Sequence, residues 1–103
     1  VVSTLESITM SPKRYPDEIR LVAATSLAEI TPRRMPLELV LSFSSNDSAN
    51  IRSQCATALG VQGYQLSLGP LALMLKDVDP LVQISAAGGI LRIDNDDSMP
   101  ELD

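Results

Sequence analysis

Apolar positions recur at spacings of three and four along most of this chain, which predicts helices that each bury one stripe. In the run from Ile19 to Ile30, IRLVAATSLAEI, the expected stripe is Ile19, Val22, Ala23, Leu27 and Ile30. Ser48 stands before a second such run and Asp79 before a third, both good N-cap residues. Pro80 follows Asp79 at the first helical position, where a missing N–H removes no helix hydrogen bond.

Shorter helices fall between these. Thr31-Pro32 reads as a cap and first turn that opens a helix through Leu37, Val40 and Leu41 toward Ser44. Pro36 is expected to delay or bend it. The next runs from about Gln65 to Lys76, with Leu71, Met74, Leu75 and Val78 in register. Gly69-Pro70 interrupts that run, so the true start is expected at Pro70. Val1 to Ile8 reads as the last part of an earlier helix. The chain opens without Met on a helix already under way, which predicts a fragment of a longer protein or a processed N-terminus.

The three longer runs align without gaps: IRLVAATSLAEI from Ile19, IRSQCATALGVQ from Ile51 and VQISAAGGILRI from Val82. Thirty-two residues separate the first two starts and thirty-one the second and third. Small residues fill residues 23–26, 55–58 and 86–89. The expected cause is close approach of successive helices, which bulky side chains would prevent. A period of this length with two helices per unit predicts stacked helical hairpins. The expected fold is therefore all-α, a right-handed α-α superhelix. Residues 1-10 end a preceding repeat, residues 16-93 hold repeats at about 16-47, 48-78 and 79-93, and residues 94-103 form an acidic flexible tail.

Composition narrows the function. The net charge is −5, and residues 53–103 hold two basic against seven acidic side chains. No basic footprint for nucleic acid or anionic membrane is present. No apolar run reaches the ~18 residues of a membrane span. Aromatics are 3%, so Leu, Ile, Val and Ala must fill the core. The single cysteine excludes an internal disulfide and fits a cytoplasmic setting.

The segment from Leu71 to Ile93, LALMLKDVDPLVQISAAGGILRI, resembles the short HEAT-like repeat of phycobilisome-lyase type. It shares an aliphatic helix, an Asp-Pro turn, an Ala-Ala step and an aliphatic end. The resemblance covers about residues 16–93. Gln83 replaces the usual Arg, and Gly88-Gly89 stands where Ala-Leu is usual. Each interior glycine weakens a helix by about 1 kcal/mol relative to alanine, so the last helix is expected to be the least stable.

The resemblance implies a ladder in which Arg20 and Arg52 pair with turn aspartates, Asp47 or Asp79, as against an anion site. It also implies that the shorter helices line a concave, partner-binding face. Glu38, Ser42, Gln65, Ala72 and Lys76 are the expected exposed, partner-binding positions there, and Arg20 and Arg52 are further partner-binding candidates. The expected function is a non-catalytic interaction scaffold that binds a protein or peptide. The alternative is an accessory domain of a chromophore-lyase-like modifying enzyme that presents a substrate protein. Self-association through the flank of the first or last helix is a third reading.

No catalytic residue, cofactor site or metal site is expected. Histidine is absent, which removes the commonest general base. Cys55 lies in the small-residue block without a basic neighbour and reads as a buried small side chain. Asp94-Asn95-Asp96-Asp97 lacks the glycine of a calcium loop, since Met99 takes its place. Gly60-Val61-Gln62-Gly63 lacks the Lys-Ser/Thr of a phosphate loop and is expected to end a helix.

Overall fold

The computed structural model describes residues 1–95, and these are all-α, with no strand among the described residues. Six helices follow in order: α1 (Val2–Thr9), α2 (Asp17–Ile30), α3 (Leu37–Ser42), α4 (Ala49–Gln62), α5 (Leu68–Met74) and α6 (Pro80–Asp94). Short 3₁₀ turns at Pro32–Arg34, Phe43–Ser45 and Gln65–Ser67 lead into or out of the shorter helices. The acidic tail expected over residues 94–103 lies, apart from Asp94 and Asn95, outside the described residues.

The three longer helices form one layer. α4 packs most extensively on α6 and next on α2. The shorter helices lie against this layer, α1 on α2, α3 on α4 and α5 on α6. The extents of 36 × 35 × 16 Å fit two layers of helices. Axes about 8–10 Å apart, with a Cα radius of about 2.3 Å on each side, account for about 13–15 Å of the thickness. The core between the layers contains Leu21, Leu27, Val40, Leu59, Leu71 and Val82, all fully buried.

Local chemistry sets the helix ends. The Ser48 hydroxyl accepts from the Ile51 N–H, and the Asp79 carboxylate accepts from the Leu81 N–H. Gly63 closes α4 at φ 79°, where a side chain would be strained, and its N–H donates to the Leu59 carbonyl. Pro36 delays α3 to Leu37, as its sequence position predicts. α5 starts at Leu68 rather than at Pro70. Pro70 falls within the first turn of α5, where no N–H is required of it.

The small-residue blocks divide by direction. Ala23, Ala24, Cys55, Ala56, Ala58, Ala86 and Gly89 are buried, whereas Thr57 and Gly88 are exposed. Four consecutive residues sweep about 300° of a helix, so they cannot all face one neighbour. The closest approach involves a residue outside those blocks. A Cβ on Gly60 would stand 2.7 Å from the Gly89 Cα, and a Cβ on Gly89 would stand 3.2 Å from the Ala56 carbonyl oxygen.

Two expected stripes are corrected. Ala23 and Leu27 are buried as expected, but Ile19, Val22 and Ile30 are exposed, and Leu21, Ala24 and Ala28 complete the buried face of α2 instead. Leu75 and Val78 are exposed as well, because α5 ends at Met74. Periodicity locates an apolar face but cannot say that a neighbour covers it.

Candidate functional site

Arg20 and Arg52 are fasteners within the fold. The Arg20 Nε donates to the Thr9 carbonyl at 2.9 Å, and one terminal nitrogen meets Asp17 at 3.1 Å. Its guanidinium lies 5.6 Å from the centroid of the Phe43 ring, within cation–π range. Arg20 therefore ties the end of α1 and the start of α2 to the turn after α3.

Arg52 plays the same part in the next long helix, α4, with a different acidic partner from either expected one. Its Nε and one terminal nitrogen grip the Asp77 carboxylate at 2.8 and 3.0 Å. The other terminal nitrogen donates to the Asn46 and Asp47 carbonyls. Asp47 thus contributes its backbone, and Asp79 is occupied as the cap of α6. The Arg52 hydrogen bonds, followed by the Asp79 backbone N–H, hold the Asp77 carboxyl below the usual carboxylate range. Gln83 occupies the Arg52 place in the third aligned segment and donates to the Asp77 carbonyl at 2.6 Å. Arg52 and Gln83 each reach a carbonyl six residues upstream, so the substitution keeps the loop closure and drops the ion pair.

Cys55 is fully buried, and its thiol donates to the Val40 carbonyl. Burial pushes its pKa up to about 12, which leaves almost no nucleophilic thiolate at neutral pH. Among the described residues no three His, Cys, Asp or Glu side chains gather as a metal site would require. No described helix is long and apolar enough to cross a membrane.

The surface features are grooves between helices. Leu41 and Ser44 on the α3 side and Pro70, Leu73, Met74 and Asp77 on the α5 side line a groove of about 310 Å³. Leu73 is 70% exposed at its edge, an apolar side chain open to water. Glu38 and Ser42 of α3 and Ala72 and Lys76, on α5 and just beyond it, are exposed, as is Gln65 in the 3₁₀ turn before α5. The longer helices carry two smaller grooves, near Thr25 and Gln54 and near Thr57 and Gly88, of about 230 and 260 Å³.

The expected partner-binding residues therefore separate. Glu38, Ser42, Gln65, Ala72 and Lys76 face solvent on or beside the shorter helices, whereas Arg20 and Arg52 have their donors engaged inside the fold. The sequence pattern places Leu41, Pro70 and Met74 on helices but marks neither these nor Leu73 as the apolar lining of a groove. The available signal was Leu73, a large aliphatic off the buried stripe of its helix.

No family model matches the chain, and no curated protein matches it.

Proposed function

We propose that this chain is a stretch of right-handed HEAT-like α-solenoid that acts as a non-catalytic scaffold for a protein partner. The groove between α3 and α5 is its docking site, and the occupant is an apolar segment of the partner, helical or extended. The observation that carries this reading is the apolar edge of that groove, where Leu73 stands 70% exposed beside Pro70 and Leu41. The solenoid part is supported by two observations. α4 and α6 meet through small residues, and Arg52 and Gln83 close equivalent loops.

The one thiol is buried and its pKa raised, and Arg20 and Arg52 are tied to structural partners. Ser44 and Asp77 line the same groove and set polar groups beside the apolar contact, the usual anatomy of a protein-binding surface.

Selection of displayed peptides on the wild-type chain, followed by binding to Leu73→Asp, tests this. Apolar peptides should be enriched and should lose at least tenfold in affinity on the variant, with its thermal midpoint unchanged. Enriched peptides that bind the variant equally well, or no enrichment at all, would contradict the reading.

A further inference from the structure

α2, α4 and α6 each carry a stripe at the same aligned places. In α2 it is Leu21, Ala24 and Ala28, all buried in the helix that packs on α4. In α4 it is Ser53, Ala56 and Gly60, buried against α6 through the Ser53–Ser85 hydroxyl contact and the Gly60–Gly89 approach. A shift of thirty-one residues reaches Ile84, Ala87 and Leu91 in α6. There Ile84 is 70% and Leu91 60% exposed, and no described residue covers them.

The opposite side repeats this in reverse. α6 turns Val82, Ser85, Gly89 and Ile93 inward. Their aligned places in α4 are Ile51, Gln54, Ala58 and Gln62, three of them buried and Gln54 half-buried. In α2 the same places are Ile19, Val22, Ser26 and Ile30. Here the three aliphatic residues are 46%, 56% and 56% exposed. Each stripe is covered inside the layer and open at its end.

We propose that these two end faces bind each other, the outer face of α6 in one copy docking on the outer face of α2 in a second copy. The register identifies the occupant. α6 offers the face that α2 and α4 offer to the helix that follows them, and α2 leaves open the kind of face that receives it. The contact continues the α2–α4–α6 layer across two copies. It joins unlike faces, so it does not close as a two-fold dimer and yields open chains or rings. The aligned crossing places change from Gly60 with Gly89 to Leu91 with Ser26. That bulkier pair holds the backbones further apart, and the association is reversible and concentration-dependent. This inference extends the solenoid reading and does not use the groove between α3 and α5.

Sedimentation of the chain over a wide concentration range tests it with two capping variants. Ile84→Glu blocks the α6 face, and Val22→Glu blocks the α2 face. The wild-type average mass should keep rising with concentration, each variant alone should be monomeric, and their equimolar mixture should form a dimer and nothing larger. Circular dichroism checks that each variant is folded, and Leu91→Lys and Ile19→Lys replace any that is not. A wild-type chain that stays monomeric overturns the inference. So does an associating wild type whose capped variants fail to pair, or a capped variant that dimerises alone through like faces. None of these outcomes bears on peptide binding at the α3–α5 groove, so the two readings fail separately.

Discussion

Gly60 and Gly89 face each other where α4 crosses α6, so closely that a Cβ on Gly60 would stand 2.7 Å from the Gly89 Cα. A contact this short lies between two backbones and cannot be relieved by turning a side chain. It accounts for two glycines inside helices that would each be about 1 kcal/mol better as alanine on propensity alone. The crossing exchanges helix propensity for close packing of the layer.

Gly88 carries the opposite expectation, although it neighbours Gly89. A Cβ there meets nothing within 4 Å. Gly88→Ala should therefore stabilise the chain by about 1 kcal/mol, since only the helix propensity changes. A thermal midpoint raised by about 4–8 °C is the expected readout. A lowered midpoint would show that this side of α6 is more crowded than described.

The Arg52–Asp77 pair should make stability depend on acid pH. Asp77 titrates below its ordinary value, chiefly because Arg52 donates to its carboxylate. The folded pKa is depressed, so the stabilisation is present above the unfolded value of about 3.9 and fades as pH falls through the folded value. Asp77→Asn should be less stable than wild type at pH 7, and the gap should narrow below about pH 4. Thermal midpoints of both proteins from pH 7 to pH 2 measure this. Parallel curves would remove the assignment.

Cys55 should report on opening of the core. Its thiol pKa is pushed up to about 12 by burial. A thiol reagent at pH 8 should label it at least about a hundredfold more slowly than a free cysteine, and urea should accelerate labelling as it opens the fold. Rapid labelling without urea would mean that the α3–α4 contact is open.

The features legible in the sequence were those fixed by near neighbours. Ser48, Asp79 and Gly63 act on backbone groups within four residues, so type and position sufficed to place the helix ends. The aligned segments also located most of the interior of α4 and α6. What failed was information carried by distant chain. Ile19, Val22 and Ile30 have the spacing of a buried stripe but lie at an end of the layer, where no described helix covers them. The choice of Asp77 over Asp47 and Asp79 depends on how two loops meet, and the cap role of Asp79 removes it from competition. Leu73 was passed over because an aliphatic residue in a helix invites assignment to the core, although Leu71 and Met74 already fill that side of α5.

The close α4–α6 crossing is the contact on which the layered account depends, and urea unfolding of Gly60→Ala measures it most directly. The added methyl group improves helix propensity, yet it has to displace the backbone at Gly89. The account predicts a net loss of about 1–3 kcal/mol with an unchanged denaturant slope. A variant as stable as wild type, or more stable, would contradict the crossing and the stacking built on it.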